Sequence, residues 1–160
     1  MQNIFDILSK EIMVLLTAAL PIIELRGAIP FGVSLGLSPW HAFLISFLGS
    51  MIPVPILLFT VRPIFNYLKK TKTFKKMINR LTNKTLNRSG RIQKYGFWGL
   101  ILFVGIPLPG TGVWSGVLAA SLLDMRFKLV FPAIFIGNLI AGIIMMLLSN
   151  GALRAIDIFG

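Results

Sequence analysis

Two charge-free apolar runs constrain this chain more than any other feature. Residues 40–61 and 129–148 form runs of 22 and 20 residues without Asp, Glu, Lys or Arg. At 1.5 Å per residue each covers about 30 Å as a helix, the thickness of a bilayer's hydrocarbon core. Pro53 and Pro55 in the first run and Pro132 in the second predict kinks rather than breaks, because neighbouring helices can satisfy the freed carbonyls. Only 13% of the 160 residues are charged, about half of what a soluble surface of this size requires. These numbers exclude disorder and a water-soluble globular enzyme.

The net charge of +11 belongs to one segment. Eleven Lys and Arg and no acidic residue fall within 62–94, while the rest of the chain is balanced. Lying between apolar blocks, this segment reads as a cytoplasmic loop near anionic headgroups, not as a nucleic-acid surface. Within it Phe74, Met77, Ile78 and Leu81 recur at i, i+3, i+4 and i+7. That spacing predicts an amphipathic helix on the membrane surface, with Lys69, Lys70, Lys72, Lys75, Lys76 and Arg80 facing the lipid headgroups. Without cysteine, and with His41 the one histidine, thiolate-zinc sites, disulfides and histidine triads are not expected. No cofactor or metal is expected. The N-terminal segment lacks the basic start and small-residue site of a cleaved signal.

The other two apolar blocks are interrupted. Residues 12–37 are broken by Glu24-Leu25-Arg26-Gly27-Ala28-Ile29-Pro30, and residues 96–123 by Pro107-Leu108-Pro109-Gly110-Thr111-Gly112. A continuous lipid-facing helix would carry Glu24 and Arg26 near the midplane, each costing about 2.5–3.5 kcal/mol or more. A hairpin that enters halfway and returns fits the lengths better, provided its broken backbone is buried or lines a cavity. The halves also correspond. Pro21 matches Pro107, and Gly49-Ser50 matches Gly137-Asn138. The sequence thus predicts an all-α integral membrane protein built as an inverted repeat. Residues 1–61 hold a hairpin (12–37) and a span (40–61). After the basic segment 62–94, residues 95–160 hold a second hairpin (96–123) and a second span (129–148). Broken helices of inverted repeats meeting at the midplane mark secondary transporters. Charge counting gives thirteen basic residues against two on opposite sides for this topology and for four plain spans alike. Segment length is therefore the discriminating argument.

Several residues could carry chemistry. Arg26 offers a planar donor fork to a phosphate or carboxylate, and Gly27 permits close backbone approach. Pro30 suits the first turn of a returning half-helix whose free N–H groups would seat an anion. Glu24 either neutralises Arg26 or carries a coupling proton. Gly110, Thr111 and Gly112 can form a backbone nest, with Trp114 and Ser115 beside it, although no phosphate-loop Gly-Lys-Ser/Thr follows. Pro21, Pro30, Pro107 and Pro109 are the expected hinges. Ser50 and Asn138 read as an interhelical hydrogen bond. His41 reads as interfacial beside Trp40, with Tyr95, Phe97 and Trp98 as a cytoplasmic aromatic belt.

At the two interrupted stretches the chain resembles the putative small multidrug export protein family of bacteria and archaea, over nearly its whole length. That family is similar to the DedA/VTT membrane proteins, which share paired re-entrant hairpins. Some of those are implicated in moving lipids, undecaprenyl phosphate among them, with proton-motive-force dependence. The resemblance implies a transporter in a prokaryotic plasma membrane. DedA proteins carry arginines around the second hairpin's proline-glycine, whereas this chain has Gly105 and Thr111 there, which leaves the charge to Arg26. The expected function is movement of an anionic amphiphile such as a lipid phosphate by a homodimer. The alternatives are a proton-coupled exporter of small amphipathic molecules and a non-transporting scaffold whose basic loop recruits a partner.

Overall fold

Proline, glycine and serine punctuate the first half. The structure, a computed structural model, describes residues 2–69, 89–108 and 110–159. Helix α1 (Gln2–Ala19) ends where Pro21 cannot continue the ladder. Its last turn tightens, with the Leu20 N–H donating to the Thr17 carbonyl at 3.2 Å. Helix α2 (Glu24–Ser34) runs back and closes on Gly36, whose φ of +89° lies in the left-handed region. The Leu37 N–H reaches the Gly32 carbonyl at 3.1 Å and the Gly36 N–H reaches Val33 at 3.0 Å, a Schellman cap. Ser38 then caps α3 (Pro39–Met51) through the His41 N–H, with Pro39 at the first helical position. Ile52 separates α3 from α4 (Pro53–Lys69).

The second half repeats these devices. Helix α5 (Ser89–Gly105) is followed by the break 106–112, then α6 (Val113–Leu122) and α7 (Phe127–Phe159). The cap that closes α2 recurs 88 residues later on α6. Asp124 takes the left-handed position with φ +52°, and the Met125 N–H donates to Ala120 at 3.0 Å. Among the described residues there are seven helices and no strand.

Three apolar cores hold the helices. Val14, Ala18, Ala28, Val33 and Ala42 join α1, α2 and α3. Val54, Leu58, Ile101, Val104, Val117 and Ile134 join α4 through α7. Leu25, Ile29, Phe43 and Ala141 bridge the two. Gly49 lets α3 lie directly on the Leu15 carbonyl and on Ala18, and Gly137 lets α7 lie on the Ile101 carbonyl and on Val104. Such backbone approach is how helices pack where no water drives them together. Ile4, Phe5, Ile56, Phe59, Leu102 and Leu147 face outward, as hydrocarbon-facing positions do. Pro39–Val61 and Phe127–Ala152 are long and apolar enough to cross a membrane, at 23 and 26 residues.

Three expectations are corrected. Helix α1 begins at Gln2, ten residues before the apolar block, because Ile4, Phe5, Ile7 and Leu8 continue its apolar face past Asp6. Helix α5 likewise begins at Ser89 rather than near 96. Pro30 lies inside α2 and not in its first turn. The helix tolerates it because Ala28, Ile29 and Val33 are buried around it, and only the bond to the Arg26 carbonyl is lost. The amphipathic-helix reading of 74–81 and Pro109 fall outside the described residues, as do Lys70, Lys72, Lys75, Lys76 and Arg80. Lys69 ends α4, with its side chain outside the description.

Candidate functional site

The break between α1 and α2 reaches into the break between α5 and α6. Leu25, fully buried between α3 and α7, anchors the start of α2. Glu24 and Arg26 on either side of it are thereby directed at the gap between α5 and α6. Glu24 adopts φ +50°, a left-handed conformation that a non-glycine residue keeps only where its surroundings hold it.

The ion pair then divides its work between two helix ends. One Glu24 oxygen pairs with Arg26 Nη1 at 2.8 Å, and the other accepts from the Trp114 N–H at 3.1 Å in the first turn of α6. Arg26 Nη2 donates to the Val104 carbonyl at 2.7 Å, with the Ile106 carbonyl at 3.4 Å and Thr111 Oγ1 at 3.2 Å. Val104 belongs to the last turn of α5, whose carbonyls have no intrahelical donors. Anion at a helix N terminus and cation at a C terminus both complement the macrodipole. Thr111 ties the break itself. Its hydroxyl lies 2.8 Å from both the Ile106 and Leu108 carbonyls and accepts from the Leu108 N–H at 3.3 Å.

Gly112 makes this fit possible. A Cβ there would collide with the Glu24 carboxylate and the Arg26 guanidinium, and its φ of +151° is one that L side chains rarely adopt. Beside the lock lies a cleft of about 530 Å³. Pro21, Glu24, Arg26 and Gly27 line it from the break before α2 and α2 itself, and Pro107, Gly110, Thr111 and Ser115 from the break before α6 and α6 itself. Gly112 packs on the Glu24 carboxylate, and Trp114 contributes its backbone N–H. Its indole Nε1 is buried and has no hydrogen-bond partner among the described residues. Pro30 is not among the lining residues.

The expected anion seat at the start of α2 is corrected. Pro30 does not open a half-helix, and at the start of α2 the Glu24 N–H is taken by the Leu20 carbonyl and the Gly27 N–H by that of Ile23, each at 3.0 Å. The start of α6 instead receives a carboxylate from within the protein. Sequence reasoning did not include Ile22, Ile23, Leu108 and Met145, which supply apolar wall. Met145 comes from the middle of α7, and nothing in an apolar span distinguishes the residue that will face a cleft. At the periphery His41 Nε2 lies 3.1 Å from Glu11, and Trp40 packs on Phe43 with ring centroids 5.4 Å apart.

Fold and site together describe an all-helical membrane protein with two apolar helices long enough to span and a polar interlock between two broken segments. The model of a family described as putative small multi-drug export protein matches residues 24–144. The chain belongs to that family, whose description makes it a transporter. The match begins at Glu24 and takes in both breaks. Neither a curated protein nor a solved structure matches the chain.

Proposed function

We propose that this protein moves an amphiphile with an acidic headgroup, a lipid phosphate being the model case, through the cleft between two re-entrant hairpins. One observation carries the reading: the Glu24 carboxylate occupies the N terminus of α6 while paired with Arg26. A substrate phosphate presents the same kind of oxygens to the Trp114 N–H and to the guanidinium fork. Exchange of Glu24 for that headgroup opens the interlock without leaving either donor unpaired. The cleft's walls, Ile22, Ile23, Leu108 and Met145, suit an acyl chain.

The topology proposed is the inverted repeat, hairpin α1–α2 with span α3–α4, then hairpin α5–α6 with span α7. Its support is that positions 88 residues apart play matching parts, and two such pairs touch each other. Asn138 bonds to Ser50 at 2.7 Å, and Gly112 packs on Glu24. Equivalent residues that meet are what a pseudo-two-fold axis in the membrane plane requires. On this reading the protein is a homodimer in a prokaryotic plasma membrane. The basic segment 62–94 lies on the cytoplasmic face. The lipid-phosphate substrate also draws on the resemblance to DedA/VTT proteins.

Proton-coupled export of small amphipathic molecules is the second reading. Among the described residues Glu24 is the one carboxylate that lines the cleft. A proton on it removes the charge that holds Arg26 and the start of α6 together. The test uses proteoliposomes and a fluorescent short-chain phosphatidic acid beside its neutral diacylglycerol counterpart. Protein-dependent movement of the phosphate ester alone is the expected result. Equal movement of both, or of neither while a neutral amphiphile is exported against a pH gradient, overturns the acidic-headgroup reading.

A further inference from the structure

We propose a second site, a binding site for an alkali-metal cation midway along the spans, where Ser50 of α3 meets Asn138 of α7 one helical turn from Ser46. The site is separate from the cleft, and cation binding there does not depend on which substrate the cleft takes. All three side chains are at most 1% exposed. Two of their polar protons are already directed. The Ser50 hydroxyl lies 2.9 Å from the Phe47 carbonyl, and the Asn138 amide nitrogen donates to Ser50 Oγ at 2.7 Å. Two buried oxygens remain to be matched. Asn138 Oδ1 and Ser46 Oγ are buried and have no hydrogen-bond partner among the described residues. Ser46 precedes Ser50 by one helical turn, which places the two hydroxyls on one face of α3.

The sequence next to Ser50 frees further acceptors. Pro53 has no N–H to return to the Gly49 carbonyl, and Pro55 has none for Met51. Two prolines thus withdraw the ladder donors from the carbonyls that flank Ser50. Oxygen-rich, donor-poor surroundings are what a hard cation requires, and unwound carbonyls with polar side chains near the midplane are how transporters hold sodium. Neither 40–61 nor 129–148 contains an acidic residue, so the ligand set is neutral and suits a single positive charge. Pairing α3 with α7 through the ion joins the two halves of the molecule at their point of contact.

The test is binding to the full chain in nanodiscs, read without transport. Radioactive ²²Na⁺ should bind and be displaced by excess NaCl. Replacing choline chloride by NaCl at equal chloride should raise the unfolding temperature by about 3–5 °C near tenfold excess over the dissociation constant. Ser46→Ala should leave the melt in choline unchanged and raise the half-saturating Na⁺ about tenfold or more. Asn138→Asp, nearly isosteric with one more oxygen and a charge, should lower it. Absence of displaceable ²²Na⁺ on the wild type, identical melts in the two salts, or wild-type Na⁺ titration by Ser46→Ala overturns the site in favour of a buried water or a plain interhelical hydrogen bond.

Discussion

Arg26 has more partners than a simple ion pair supplies, and that decides what its mutants should do. A buried cation stripped of its only partner costs roughly 3–5 kcal/mol. Here Glu24→Gln leaves the Val104 and Ile106 carbonyls and Thr111 in place, and the new amide oxygen can still accept from Trp114. The expected loss is nearer 2 kcal/mol, with a folded protein whose pH-driven transport is gone. A thermal melt in nanodiscs beside a transport assay checks it, and collapse of the fold shows that Glu24 serves only to neutralise Arg26. Arg26→Lys should also fold and fail to transport, because one ammonium cannot reproduce a planar fork shared between two helix ends. Recovery of wild-type rates by lysine contradicts the headgroup role. Gly112→Ala places a methyl group against the Glu24 carboxylate at an unfavourable φ. It should cost about 2–4 kcal/mol in the same melt. A neutral result there removes the interlock.

At the scale of elements, contact through glycine sets which helices must touch. Gly137 faces the Ile101 carbonyl and Val104 Cβ, both 2.8 Å from where a Cβ would stand, whereas Gly99 on α5 has nothing within 4 Å. Gly137→Ala should therefore destabilise by about 1–3 kcal/mol, and Gly99→Ala should stabilise by about 0.5–1 kcal/mol through helix propensity. Chemical unfolding of the pair side by side checks both signs. Which helix each glycine would pack against was not legible in the sequence, whereas the two spans, the prolines that end α1 and α5, and the polar hinges after α2 and α6 were. Local chemistry determines those features. Helices α1 and α5 were misjudged in length because Asp6, Lys10 and Glu11 in the one and Arg91 and Lys94 in the other interrupt hydropathy without interrupting the helix. Pro30 was misplaced because proline reads as a helix start until tertiary burial is known to hold a helix around it. Glu24 and Arg26 stood out as costly intramembrane charges. Thr111 and Trp114 were legible as residues of the second break, but Val104 was not, nor was any of the three pairings, which span 78, 85 and 90 residues. Backbone carbonyls and N–H groups also leave no mark in a sequence.

For the whole molecule, everything proposed about function follows from the two breaks lying at one depth, where Glu24 of one can enter the other. That holds only if α1–α2 and α5–α6 are re-entrant hairpins and not one full span each. The chain has no cysteine, so single cysteines report sidedness cleanly. Asp6 and Gly36 flank the first hairpin, and Leu123, about half exposed, sits at the return of the second. In intact cells an impermeant maleimide should label Asp6→Cys and Gly36→Cys, and should label Leu123→Cys only after the membrane is opened. Labelling of Leu123→Cys in intact cells, with Asp6→Cys protected until permeabilisation, would place four plain spans across the bilayer and contradict the account.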